Sequence, residues 1–213
     1  MKNNNHLEQL AHIRAMMERS SRFISLSGLS GVLAGVYALI GAWLAHSKLQ
    51  TLRTDLRSEY LGLSLPELNH DLNQYFVVLA ILVLSASLLT GFGMTHLRSR
   101  KTSQKLYDKS AIRMMVNIGI PLIAGGIFII ALYFRGFYSM MASSTLLFYG
   151  LALLNGSKYT VNDIRYLGIC EIVLGLLAAF NVGDGLIYWA IGFGVLHILY
   201  GSMMYWKYER KRA

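Results

Sequence analysis

Two ionisable side chains, Glu171 and His197, fall well inside apolar runs of this chain. A charged side chain at the centre of a bilayer costs about 2.5–3.5 kcal/mol on insertion scales, so such residues turn toward the protein interior and commonly mark ion or proton pathways. Gly168, Gly175 and Ala178 would share the helical face of Glu171. Ala190, Gly194 and Gly201 would share that of His197. From the basic residues that open and close the two runs, Arg165 and Lys207, the pair sits about 9 Å and 15 Å deep at 1.5 Å per residue. Side-chain reach and helix tilt can bridge that difference. The chemistry expected is a proton- or cation-handling pair; its plainer counterpart is an interhelical hydrogen bond, worth roughly 0.6 kcal/mol on average. Asn117, Tyr149 and Tyr200 are further polar side chains that could line the same interior.

Other chemistry finds little support. The chain has no Gly-rich phosphate loop, no His-Glu-x-x-His and no Gly-x-Ser-x-Gly. Asn69-His70-Asp71 reads as a solvated loop. Haem would need paired deep histidines, and His46 and His96 lie near opposite span ends. No cofactor, no metal and no enzymatic activity are therefore expected. The single cysteine, Cys170, excludes an intramolecular disulfide and reads as a small apolar residue.

The elements that position the pair follow from composition. Of 213 residues, 54% are apolar and 15% charged, with a mean hydropathy of +0.44. Soluble domains carry about 25% charged residues. The expected fold is all-α: a polytopic membrane protein forming a bundle of six transmembrane helices, one membrane domain over 1–213. Apolar runs of about 20 residues cross a ~30 Å core, and the spans are placed at 23–45, 75–97, 114–134, 137–155, 164–180 and 185–206.

Residues 5–21 repeat Leu7, Leu10, Ile13, Met16 and Met17 at helical spacing, an amphipathic helix on the membrane surface. With Glu8 and Glu18 among them, they do not read as a cleavable leader. The 46–73 segment is the extracytoplasmic loop, and Ser64-Leu65-Pro66-Glu67 resembles a capping box that starts the second helix near Leu65. Small residues recur at Gly31, Gly35, Ala38, Ala42 and Ala45, and again at Ala80, Ser87, Gly91 and Thr95, faces that let helix backbones approach closely. Pro121 should kink the third span. Asp184 is expected to cap the sixth.

Charge sets the orientation. With both termini cytoplasmic, Lys48, Arg53, Arg57 and Arg135 alone lie outside; the other 16 of the 20 lysines and arginines lie inside, including the basic loop 98–113. That is the positive-inside pattern, and it accounts for the +9 net charge without a nucleic-acid partner. The home expected is the bacterial inner membrane, with anionic lipid at the cytoplasmic face and a homo-oligomer as a further option. Arg113 to Gly150 and Arg165 to Gly201 mark similar hairpins, which raises three parallel helical-hairpin repeats as an expectation. The function expected first is a small channel or transporter for an ion, proton or small solute. The alternative is a non-transporting sensor or assembly subunit. A wet cavity reaching Glu171 would favour transport, and dry packing the alternative.

Overall fold

The computed structural model describes residues 27–58, 65–101 and 109–210. The surface helix expected over 5–21 and the middle of the basic loop lie outside the described residues. Six helices carry the described residues: α1 (Gly28–Ser58), α2 (Leu65–Lys101), α3 (Lys109–Phe134), α4 (Met141–Gly156), α5 (Asp163–Phe180) and α6 (Gly185–Glu209). No strand occurs among the described residues. Four of the helices, α1, α2, α3 and α6, contain stretches long and apolar enough to cross a membrane. The outward faces of α2 and α3 expose Leu89 at 74% and Ile123 at 66%, within runs of similar side chains. Contiguous apolar surface on that scale is what a bilayer covers.

Two elements reach further than their apolar runs. α1 continues to Ser58, thirteen residues past the proposed span end at 45, so much of the 46–73 loop is helix. α6 is not uniformly α-helical: Ala190–Leu196 and Tyr205–Glu209 are π-helical. Turns between helices are short, and Gly136 (φ 74°) and Gly183 (φ 111°) supply the left-handed residues two of them need. Asp184 heads α6 through its backbone carbonyl, which accepts from the Ile187 and Tyr188 amides, and not through a side-chain cap.

Glycines decide which helices touch. A Cβ on Gly150 would stand 2.7 Å from the Gly168 carbonyl oxygen, and one on Gly168 would stand 2.8 Å from that of Gly150. Only backbone contact between α4 and α5 gives such distances. The same holds for α1 and α6: a Cβ on Gly35 would lie 2.6 Å from the Gly194 oxygen, and one on Gly201 2.7 Å from that of Gly28. Both pairs run antiparallel. The small-residue face expected on α2 behaves differently. Gly91 has no described atom within 4 Å of where its Cβ would stand, and no residue of 73–97 is buried. Among the described residues α2 meets chiefly α1, with Val83 against Gly41.

One end of the bundle is tied by charge. Lys207 on α6 donates to both Asp163 carboxylate oxygens, at 2.9 and 3.0 Å, and the Tyr208 hydroxyl donates to one of them at 2.8 Å. Glu209 accepts the Gly28 amide at 2.5 Å, putting a carboxylate at the positive end of α1. The π-helical end of α6 thus fastens the starts of both α5 and α1.

Candidate functional site

Glu171 projects from the middle of α5. Gly168, Gly175 and Ala178 are buried with it, while Ile169, Val173 and Leu176 are exposed. Glu171 itself is 0% exposed. Its neighbours across the interface are Gly192 of α6 and Leu146 of α4: a Cβ on Gly192 would stand 2.5 Å from Glu171 Oε2 and 2.5 Å from Leu146 Cδ2. The carboxyl group is admitted because residue 192 has no side chain.

His197, 7% exposed, faces it from α6, with Nδ1 3.4 Å from Glu171 Oε1. That is ion-pair distance without hydrogen-bond alignment. Nδ1 lies closer to the Gly192 carbonyl oxygen, at 3.0 Å. A carbonyl can only accept, so Nδ1 carries the hydrogen. Nε2 is then the acceptor of the neutral ring, and the Tyr149 hydroxyl, 2.8 Å away on α4, donates to it. The π-helical stretch explains the Gly192 contact. Helical side chains lean toward the preceding turn, and the wider i→i+5 turn brings a carbonyl five residues back beneath the imidazole.

Neither oxygen of Glu171 has a hydrogen-bond partner among the described residues. Such an omission inside a protein costs about 1–3 kcal/mol, more for a charged group. An aromatic wall closes the site on the α6 side. Trp189 and Phe193 are 5.1 Å apart between ring centroids, Phe193 and His197 5.8 Å, and Tyr149 and Phe193 5.0 Å.

The other polar residues singled out from sequence stand elsewhere. Tyr200 lies beside Cys170, hydroxyl to sulfur 4.0 Å. Asn117 belongs to the α3–α4 interface: its side chain donates to the Arg113 carbonyl and its own carbonyl accepts from Asn155 at 2.9 Å. The structure therefore brings together Glu171, His197 and Tyr149, and leaves out Asn117 and Tyr200. It adds Gly192, Phe193 and Leu146. None of these three stands out in the sequence, where each is one more glycine, phenylalanine or leucine of an apolar span.

The chain matches no family model, no curated protein and no solved structure. Its chemistry rests on the site alone. No cluster of three or more His, Cys, Asp or Glu that could hold a metal ion occurs among the described residues. The arrangement offers one carboxyl group, one imidazole and one phenol in series, enclosed by packed side chains.

Proposed function

We propose that this protein is a small integral membrane transporter for an ion, proton or small solute, with Glu171 and His197 as its ion-handling centre. The observation that carries this reading is that neither carboxyl oxygen of a fully enclosed glutamate is hydrogen-bonded among the described residues, with only the His197 imidazole at ion-pair distance. A polar contact kept for stability alone satisfies its groups, because half-satisfied buried networks are worse than apolar packing. Glu171 does the opposite, and it does so opposite a π-helical stretch, a feature that recurs at functional sites. Enclosure weighs against a standing open pore. On packing alone enclosure favours the second reading, a sensor or assembly subunit that does not transport; the transport reading takes the same packing as a closed state.

Six crossings fit this reading. At 1.5 Å per residue α4 and α5 are about 24 and 27 Å long, short of a full span, yet they lie alongside α6 from end to end. Gly185 at its start meets Ala142, and Lys207 near its end holds Asp163. With both termini cytoplasmic, the basic segment 98–113 and the tail face anionic lipid, in a plasma membrane of the bacterial inner-membrane kind. The proposed repeats find a parallel in the Gly150–Gly168 and Gly201–Gly28 contacts, each joining the second helix of one hairpin to the first of another.

Flux in proteoliposomes tests the proposal. Wild-type protein should move protons, cations or small solutes at least tenfold faster than the Glu171→Gln variant at equal incorporation. Equal rates for the two would end the transport reading and leave the sensor.

A further inference from the structure

The oxygen inventory of the site decides which cation it can take, granted that Glu171 and His197 handle one. Calcium asks for six to eight oxygen ligands and magnesium for a near-ideal octahedron. Among the described residues, the contacts of the Glu171–His197 pair bring four oxygens together: two of Glu171, the Gly192 carbonyl and the Tyr149 hydroxyl. The last two are already engaged by the imidazole, at 3.0 and 2.8 Å. Space is short as well, since Leu146 and the Gly192 backbone close on Oε2. A proton needs neither a coordination shell nor a cavity. The titratable groups that meet there are Glu171 from α5, His197 from α6 and Tyr149 from α4; where α1 reaches this part of α6 it brings Gly35 and Leu39.

We propose that the ligand of the Glu171–His197 site is a single proton, that metal cations are rejected, and that Tyr149 registers its arrival. The inference rests on the ion-handling reading above. In the form described, Nδ1 carries a hydrogen, and Nε2 accepts from the Tyr149 hydroxyl. A proton from the aqueous phase binds the Nε2 lone pair and makes an N–H bond. The tyrosine hydroxyl then turns and accepts from it; Glu171 is a carboxylate before and after, so the charge of the Glu171–His197 pair goes from −1 to 0. One proton is gained, no covalent bond breaks within the protein, the Tyr149–His197 hydrogen bond reverses its direction, and the two-sided hydrogen bonding of a phenol is what allows the turn.

The test is nitrogen NMR of ¹⁵N-histidine-labelled protein in lipid vesicles, the His197 signals being assigned by their loss in His197→Gln. Acidification should convert them from the neutral Nδ1–H form to imidazolium, while 100-fold changes in Na⁺, K⁺ or Ca²⁺ at fixed pH leave them unmoved. Tyr149→Phe, which keeps the ring, should at least double the share of the Nε2–H tautomer. Signals that shift with a metal cation at fixed pH would overturn the assignment, as would signals indifferent to acid. Flux lost with this NMR behaviour intact would remove transport and keep the proton site; flux intact with cation-sensitive signals would do the reverse.

Discussion

Gly192 is the residue on which the site turns, because it does two things that no other amino acid could combine there. Its carbonyl orients His197, and its missing side chain leaves room for Glu171 Oε2. Gly192→Ala drives a methyl group to within 2.5 Å of both Oε2 and Leu146 Cδ2, and overpacking of this kind costs about 1–3 kcal/mol. The loss should appear as a lower melting temperature in detergent. In a Glu171→Ala background the carboxyl group is gone and the added methyl occupies vacated space, so the penalty should fall by at least half. Equal penalties in the two backgrounds would show that the glycine does not serve the carboxylate. At this scale the sequence was informative where burial is expensive. Glu171 and His197 stand out because ionisable groups are rare in apolar runs. Gly192 does not, since one more glycine among 20 carries no mark of the carbonyl it presents, and no periodicity announces a π-helical turn.

Helices here are matched by what their backbones lack. Pro121 inside α3 has no amide hydrogen, so the carbonyl four residues back, that of Asn117, loses its helical donor. Asn155 of α4 donates to that same carbonyl at 2.9 Å. Neighbouring helices re-satisfying a proline's freed carbonyl are the general means by which membrane helices tolerate the residue. Asn155→Ala should therefore destabilise the protein by about 1 kcal/mol, the low end of the cost of leaving a part-buried acceptor without its donor. In a Pro121→Ala background α3 can close its own hydrogen bond, and Asn155→Ala should then cost under about 0.5 kcal/mol, the range of an unremarkable substitution. Thermal melts of the four proteins form the double-mutant cycle, and additive costs would break the link between the two residues. A proline in the third span reads plainly in the sequence. Its remedy does not, because Asn155 is 34 positions away and only the α3–α4 packing brings it near. For the same reason Asn117 looked like an interior polar side chain, when its carbonyl is the part the neighbouring helix uses. The spacing of small residues was a better guide on α1, where Gly35, Ala38 and Ala42 are buried, than on α2, where no described atom lies within 4 Å of a Cβ built on Gly91. A stripe of small side chains permits close packing without supplying a helix to pack against.

Across the whole molecule, the packing and the charges bear on one question, which ends face which side. The starts of α1 and α5 and the end of α6 are fastened together by Glu209, Lys207 and Asp163. The end of α4 joins the start of α3 through Gly156 against Ile118. At the opposite end Asn73 donates to the Tyr138 hydroxyl at 3.0 Å, and Lys48 lies 5.7 Å from the centre of the Tyr75 ring. The described helices therefore present two opposed ends, and the basic residues divide unequally between them. Lys48 and Arg135 belong with the second end; Arg113, Lys158, Arg165, Lys207 and Arg210 belong with the first. Loop charge of this kind fixes orientation during insertion, so the first end should be cytoplasmic. Replacing Cys170 with Ala removes the natural thiol. Single cysteines at Gln104 and Asn181 then probe the two sides with a membrane-impermeant maleimide. In intact cells Asn181→Cys should react and Gln104→Cys should not; after permeabilisation both should. Labelling of residue 104 from outside would invert the molecule, placing its basic face against the extracellular medium and the Glu171 site near the opposite leaflet. Labelling of both positions in intact cells would mean that α2 or α3 does not cross, and the six-span reading would then fail together with the orientation.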